Sequence, residues 1–393
     1  MHDFTFQNPV KIHFGHEKLA LIGEELKKFG KRVLLTYGGG SIKRIGLYDR
    51  VVEEVKKAGM ELYELPGIEP NPRIGSVREG ARLCKEHNID VLLAVGGGST
   101  IDCTKWIAAA ACVDHDAWDF FDYEKWSPVN KALPIVSVLT LSATGSEMDS
   151  GGVISNLETD DKRGRLSPLL FPKVSFLDPT LTYTVSPYQT ACGSADIFSH
   201  LMEEYFTTGE PMFMIDTFIE GMMRTIVRYA PIAMREPDNY EARANLMWAS
   251  SWAINGLIGA DKGQAWSCHP MEHELSAVYD ITHGHGLAIL SPRWLEFCMD
   301  DETMPRIARF GISVFGLDPT LPQRELALRA IDQLGHFLFD TLGLKRTLPE
   351  LDIDESHFDS MAAKAVLPYN GTIPGFRPLT KDDVISIYRM CMR

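Results

Sequence analysis

Positive charge is scarce in this 393-residue sequence: 39 lysines and arginines stand against 53 aspartates and glutamates, a formal net charge of −14. That balance argues against a nucleic-acid partner or an anionic membrane surface. A phosphate-bearing ligand would need backbone amides and a few placed lysines. Long apolar runs are missing too. An uncharged stretch as long as any, Ala244 to Ala260, contains Asn245, Ser250, Ser251 and Asn255. It is too short and too polar to span a bilayer and fits a buried helix. The seven cysteines (84, 103, 112, 192, 268, 298 and 391) form no CxxC pair and no dense framework, which reads as reduced thiols. The opening MHDFTFQNPVKIHFG has no basic region followed by an apolar run, so no secretory signal and a cytoplasmic location are expected. Low-complexity segments are absent. What is present is globular in composition, with 45% apolar and 23% charged residues, and the length allows two or three domains.

The first half alternates short β-rich runs with helical segments. Phe4–Gln7 and Val10–Phe14 flank Asn8-Pro9 and predict a small β pair. Strands are expected at Val33–Thr36, Leu62–Leu65, Val91–Val95, Ile135–Thr140 and Val174–Leu177. Helices are expected over Leu47–Ala58, over Arg73–His87 and from the second glycine turn through Ala111. Such alternation predicts right-handed βαβ units and a parallel, doubly wound, Rossmann-like sheet. From Pro187 onward the strand signal vanishes, and Met212–Tyr229, Tyr240–Gly259 and Gln323–Leu342 read as helices. The expected division is therefore an α/β dinucleotide-binding domain, 1–186, and an all-α metal-binding domain, 187–393.

Two glycine turns carry the cofactor argument. Gly96-Gly97-Gly98-Ser99-Thr100-Ile101-Asp102 follows an apolar strand and opens a helix, where free N–H groups and the positive dipole end suit a pyrophosphate. It is not the GxGxxG fingerprint, and a plain tight turn would read the same way. The other turn, Gly38-Gly39-Gly40-Ser41-Ile42-Lys43-Arg44, stands where an NAD site commonly carries Asp or Glu for the ribose 2′-hydroxyl. Glycines, a serine and two cations there suit a 2′-phosphate, so NADP(H) is preferred, with NAD(H) the alternative. Thr140, Ser142 and Thr144, just past another strand end, are further contacts, and Asn71, in the turn Pro70-Asn71-Pro72, completes the expected cofactor set with Gly97, Gly98, Ser99 and Asp102.

Five of the twelve histidines fall in two stretches, CGSADIFSHLMEEYF and WSCHPMEHELSAVYDITHGHG. Asp196 and His200 are four apart, so a helix sets them on one face, about 5–6 Å apart at Cβ. His269, one turn before His273, and His283, expected in a glycine-flanked loop, could close the other side. Spacing does not choose between His273 and His283. Three imidazoles and a carboxylate suit Zn²⁺ or Fe²⁺.

Taken together, TYGGGSIK, GGGSTID, SATGSE, Asp196-xxx-His200 and His269-xxx-His273 followed by His283 resemble the iron-containing, or group III, alcohol dehydrogenases. The similarity is narrower to their butanol dehydrogenase and NADPH-dependent aldehyde reductase branch, and it runs from FQNPVKIHFG to LTKDDVISIY. The resemblance implies metal ligands at Asp196, His200, His269 and His283, and a non-ligand His273 near the nicotinamide. It also implies Lys162 near the cofactor's ribose, a homodimer, and a cofactor between the two domains. Asp149 stands where close relatives often carry Asn, and His285 is a candidate spare ligand or relay that the resemblance does not place. The expected activity is interconversion of a small primary alcohol and its aldehyde. A metal would polarise the carbonyl oxygen, a nicotinamide would supply hydride, and His273 would serve as proton relay. Trp106, Trp252, Trp266 and Met148 are candidate pocket walls. The alternatives are a polyol or glycerol dehydrogenase of the same superfamily, a related metal-dependent lyase, a metal-dependent hydrolase without nicotinamide, and a structural metal protein.

Overall fold

Continuous apolar runs such as Val33-Leu34-Leu35 and Val91-Leu92-Leu93-Ala94-Val95 can be satisfied only where both faces of a strand are covered, which is the habit of parallel sheets. The computed structural model, which describes residues 3–207, 212–260 and 265–393, builds such a sheet. Its strands are β1 (Lys11–Phe14), β2 (Arg32–Tyr37), β3 (Glu61–Leu65), β4 (Val91–Gly96), β5 (Ile135–Leu139) and β8 (Val174–Leu177), in the order β1-β8-β5-β4-β2-β3. Every pairing in it is parallel. Between the strands run α1 (Ile22–Leu26), α2 (Ser41–Arg44), α3 (Leu47–Lys57), α4 (Ile74–Glu86) and α5 (Gly98–Ala110). The two-residue period of the strands divides the core. Val33, Leu35, Val91, Leu93 and Val95 pack with Leu47, Val51 and Val55 of α3, whereas Leu34 and Leu92 pack with Val77 and Ala81 of α4 and Trp106 and Ile107 of α5. Helices thus cover both faces, and the winding reverses where β2 and β4 lie side by side.

Two expectations need correction here. Phe4–Gln7 forms no strand. Lys11–Phe14 joins the main sheet instead, parallel to β8. A second, two-stranded sheet, β6 (Gly151–Asn156) with β7 (Asp161–Leu166), was not foreseen. Its glycines and charged residues hide the strand signal, and its turn closes on Asp160 in the left-handed region (φ +49°), which aspartate tolerates better than most residues.

The remaining helices are α6 (Pro187–Tyr205), α7 (Phe213–Arg235), α8 (Tyr240–Trp252), α9 (Cys268–Tyr279), α10 (His283–Cys298), α11 (Met304–Phe315), α12 (Gln323–Gly335), α13 (Phe358–Val366) and α14 (Lys381–Met390). Two-residue strands β9 (Thr372–Ile373) and β10 (Leu379–Thr380) are the sole ladder among them. The helix expected to reach Gly259 stops at Trp252, before Asn255 and the left-handed Gly256. The chain divides by contacts into Gln7–Val185 with Pro237–Ser251, and Ser186–Glu236 with Trp252–Arg393 and residues 3–6. A single cut at 186/187 would leave α8 in the helical half. Instead Met247 packs among Ala94, Ile101, Leu139 and Leu177, and Ser251 donates to the buried Glu147 at 2.5 Å. No helix among the described residues is long and apolar enough to cross a membrane.

The α/β unit holds one fully buried cation. Lys105 of α5 donates to Asp149 at 2.5 Å and to the Gly151 carbonyl at 2.7 Å, so Asp149 anchors the β6–β7 hairpin to α5. One residue turn earlier, Asp102 accepts from Ser146 at 2.5 Å and from the Val153 amide at 2.9 Å. Lys105→Met should strand Asp149 without its cation and lower stability by about 3–5 kcal/mol, the usual cost of removing one partner of a buried pair. Chemical unfolding followed by fluorescence would check this, and an unchanged midpoint would contradict it.

Candidate metal centre and cofactor-binding loops

Ser186 caps α6 by accepting from the Gln189 amide at 3.2 Å, and Pro187 occupies the first helical position, both favourable at a helix start. The helix that follows sets Asp196, His200 and Glu203 on one face at i, i+4 and i+7. His269 and His273 lie one turn apart on α9. His283 is not in a loop, as the flanking glycines suggested. It is the first residue of α10. A Cβ on Gly284 would run into the Cys192 carbonyl of α6, and one on Gly286 would stand 2.8 Å from Cγ of Glu272. These glycines let α10 lie against α6 and leave room for an acid.

Asp196, His200 and His269 each bring a ligand atom within 4.8 Å of the other two, and His283 approaches Asp196 from α10. Asp196 Oδ1 lies 3.6 Å from His200 Nε2, 3.8 Å from His283 Nε2 and 4.0 Å from His269 Nε2. Ligand atoms bonded to a single ion at about 2.0–2.2 Å stand on the order of 3–4 Å apart, so the quartet fits a divalent transition metal. The His200 and His269 rings are stacked, 4.8 Å between centroids. Burial, helped by neighbouring His269, holds His200 well below its ordinary pKa, leaving a neutral imidazole of the kind that binds metal.

Two buried acids missed by the sequence reading stand behind these histidines. Glu203 accepts from His269 Nδ1 at 3.0 Å, from the His269 amide at 2.9 Å and from the Ser267 amide at 2.6 Å. Burial pushes its carboxyl up to about 7. Glu272 is hydrogen-bonded to His283 Nδ1 and accepts from Ser276. Their helical spacing, three residues after His200 and three after His269, was the available signal. His273 stands beside this group, with its ring 5.5 Å from His283 and 6.2 Å from His269. With Glu272 and His283 it makes a second acid–imidazole cluster. His285 is no spare ligand: its Nε2 meets the Lys345 carbonyl and its Nδ1 the Tyr188 hydroxyl, both at 3.1 Å. Trp266 walls the centre, 4.6 Å from His269 and 5.4 Å from His200 between ring centroids. Trp106 belongs to the α/β core instead, buried against Phe120 and Phe121 with its indole N–H on the Gly152 carbonyl.

The expected cofactor residues lie in the α/β unit. β2 and β4 pair with Tyr37 opposite Val95, and β4 pairs with β5 with Gly96 opposite Leu139. The turns carrying Gly38, Gly39 and Ser41, then Gly97, Gly98 and Ser99, then Thr140, Ser142 and Thr144 therefore leave three adjacent strands at the same edge. Ligands in open α/β sheets sit outside the carboxyl ends of the strands, where the winding reverses. No side chain caps the start of α5, and a Cβ on Gly98 would collide with Thr144. Asn71, at φ +49°, precedes Pro72, whose carbonyl accepts from Ser155 at 2.8 Å. Ser155 is the register partner of Lys162, so Asn71 and Lys162 flank one contact. Lys162 is buried rather than a solvated surface charge. Asp102 spends both carboxylate oxygens on Ser146 and Val153, and burial pushes it up to about 6. The first turn holds one surprise. Lys43 sits over the rings of Tyr37 and Tyr48, 5.1 and 4.6 Å from their centroids. Both hydroxyls donate to Glu64 of β3 at 2.8 Å.

Comparison with known proteins places the chain in a family. Residues 9–179 match the family described as Iron-containing alcohol dehydrogenase, and residues 190–392 its C-terminal counterpart. The chain is 50% identical to the NADH-dependent butanol dehydrogenase A of Clostridium acetobutylicum, with 99% of each chain covered. It is 37% identical to an NADPH-dependent aldehyde reductase of Escherichia coli, with 93% of each covered. The crystal structure of an NADH-dependent butanol dehydrogenase A from Thermotoga maritima superposes with a TM-score of 0.94 at 38% identity, covering 100% of this chain and 99% of the other. The chain belongs to the iron-containing alcohol dehydrogenase family and is an oxidoreductase of that class.

Proposed function

We propose that the protein interconverts small primary alcohols and their aldehydes, chiefly as an aldehyde reductase, using NADP(H) and one divalent ion, Fe²⁺ or Zn²⁺. The observation that carries the reading is the convergence of three imidazole Nε2 atoms within 4.0 Å of Asp196 Oδ1. When bound, the ion supplies Lewis acidity to a carbonyl oxygen and the reduced nicotinamide supplies hydride. The chain's own groups do the rest. Asp196, His200, His269 and His283 hold the ion, with Glu203 and Glu272 fixing which nitrogen of His269 and His283 faces it. Trp266 covers one side of the centre and helps exclude water. His273 holds the proton that an alkoxide product requires. The start of α5 binds the pyrophosphate through its uncapped amides. Lys162 and Asn71 serve the ribose, whereas Asp102 acts by fixing Ser146 and Val153.

Supporting NADP(H) are the amides of Gly38 and Gly39, the Ser41 hydroxyl and the Lys43 ammonium. Glu64, an acid on this side, already accepts two tyrosine hydroxyls. The relatives divide: the Clostridium acetobutylicum protein is called NADH-dependent and the Escherichia coli protein NADPH-dependent. For this chain kcat/KM should be higher with NADPH than with NADH, charge-assisted hydrogen bonds to a phosphate being worth roughly 1.5–3 kcal/mol each. NADH equal or ahead would show that the first turn reads a hydroxyl.

Chelation should abolish turnover, and Fe²⁺ or Zn²⁺ should restore it. Full activity of rigorously metal-free protein would leave the quartet without a catalytic role. His273→Ala should keep its metal and cofactor yet lose about 10²–10⁴-fold in turnover, the usual range for a general acid. His269→Ala and His283→Ala should instead lower metal content. An emptied site in His273→Ala beside a loaded His283→Ala would reverse the two roles.

A further inference from the structure

The three histidines proposed as ligands are not equally enclosed. The imidazoles of His200 and His269 are almost wholly enclosed, with side-chain exposures of 5% and 7%, whereas that of His283 retains 22%. Packing therefore restrains His283 least. Its Nδ1 meets Glu272, whose own side chain is fully buried. The second oxygen of Glu272 accepts from Ser276, and Gly286 leaves the space in which the carboxylate lies, a Cβ there standing 2.9 Å from Glu272 Oε1.

We propose, resting on the metal-centre reading above, that Glu272 is a positioning residue which sets how tightly the centre grips its ion, acting through His283. The carboxylate accepts a hydrogen bond from Nδ1–H, which keeps the proton on Nδ1 and leaves the lone pair on Nε2, the nitrogen 3.8 Å from Asp196 Oδ1. It also fixes the ring's rotation at the ligand that the surrounding chain encloses least. Carboxylates placed behind metal-binding histidines typically contribute 10–100-fold in metal affinity. Glu203 stands equivalently behind His269 but also accepts two backbone amides at the start of α9. Replacing it would disturb the helix as well as the ring. Glu272 meets the side chains of His283 and Ser276, and the thermal midpoint read beside affinity separates a packing effect from an effect on the ion.

The conservative variant is informative because of Ser276, whose hydroxyl also lies 3.3 Å from the Ile281 carbonyl. In Glu272→Gln the amide oxygen can still accept from His283 Nδ1. The amide N–H can donate to Ser276, whose own proton turns to Ile281. The hydrogen bond survives and the charge does not. The experiment is competition for Zn²⁺ between the full-length protein and a chelating dye, with the dissociation rate measured alongside. The thermal midpoint of the metal-stripped protein is read on the same samples. Glu272→Ala should bind Zn²⁺ about 10–100-fold more weakly than wild type and release it correspondingly faster, with Glu272→Gln in between. Wild-type Zn²⁺ affinity in both variants would overturn the proposal, as would a lowered midpoint with unchanged affinity. If Glu272→Ala fails to fold, Glu272→Gln alone decides, since wild-type affinity in it removes the role of the charge. A wild-type protein that binds no stoichiometric Zn²⁺ would instead overturn the metal-centre reading itself.

Discussion

Helix α10 lies so close to α6 at Gly284 that no side chain fits between them, and the proposed metal centre depends on this contact. Asp196 and His200 belong to α6 and His283 to α10, so the approach of the two helices fixes the distance across the site. The surrounding helices then bury the acid and its imidazoles. A buried carboxylate among neutral imidazoles is costly unless a cation or hydrogen bonds compensate it. The two acids behind the site add to that cost, since Glu203 and Glu272 are fully buried as well. Backbone amides and His269 compensate Glu203 and Ser276 compensates Glu272, and a divalent cation would compensate Asp196.

The α/β unit solves a different problem with the same means. The edge proposed for the cofactor is made of backbone, glycine and hydroxyl. The charges lie beneath, where Lys105, Asp102 and Asp149 tie α5 to the β6–β7 hairpin. The hairpin carries Lys162, so the buried ion pair fixes where that cation stands relative to the start of α5. Asp149 is thereby explained as the partner of Lys105, within the protein. Helix α8 adds a second brace through Ser251 and Glu147, whose carboxyl burial pushes up to about 7.

Much of this was legible in the residues because it is periodic. Parallel strands announce themselves as unbroken apolar runs, and Asp196 with His200 needed only helical spacing. Other features were hidden for physical reasons. The β6–β7 hairpin is short, glycine-rich and charged, so neither hydrophobicity nor alternation marks it. Lys11–Phe14 joined β8 rather than its sequence neighbour because pairing across the chain is invisible to local pattern. His283 looked like a loop residue because glycine usually signals a turn, whereas Gly284 and Gly286 serve close packing. Glu64 escaped notice because its link to Lys43 runs through two tyrosines from separate elements. Glu272 reaches His283 only once α9 and α10 are folded together.

The account stands on one ion shared by Asp196, His200, His269 and His283. Anomalous diffraction from crystals of the Zn²⁺-loaded protein tests it most directly. One peak per chain is expected, bonded at about 2.0–2.2 Å to three Nε2 atoms and one Asp196 oxygen, with His273 and His285 outside bonding distance. A peak held by Glu272, His273 and His283 instead, or none within reach of Asp196, would contradict it.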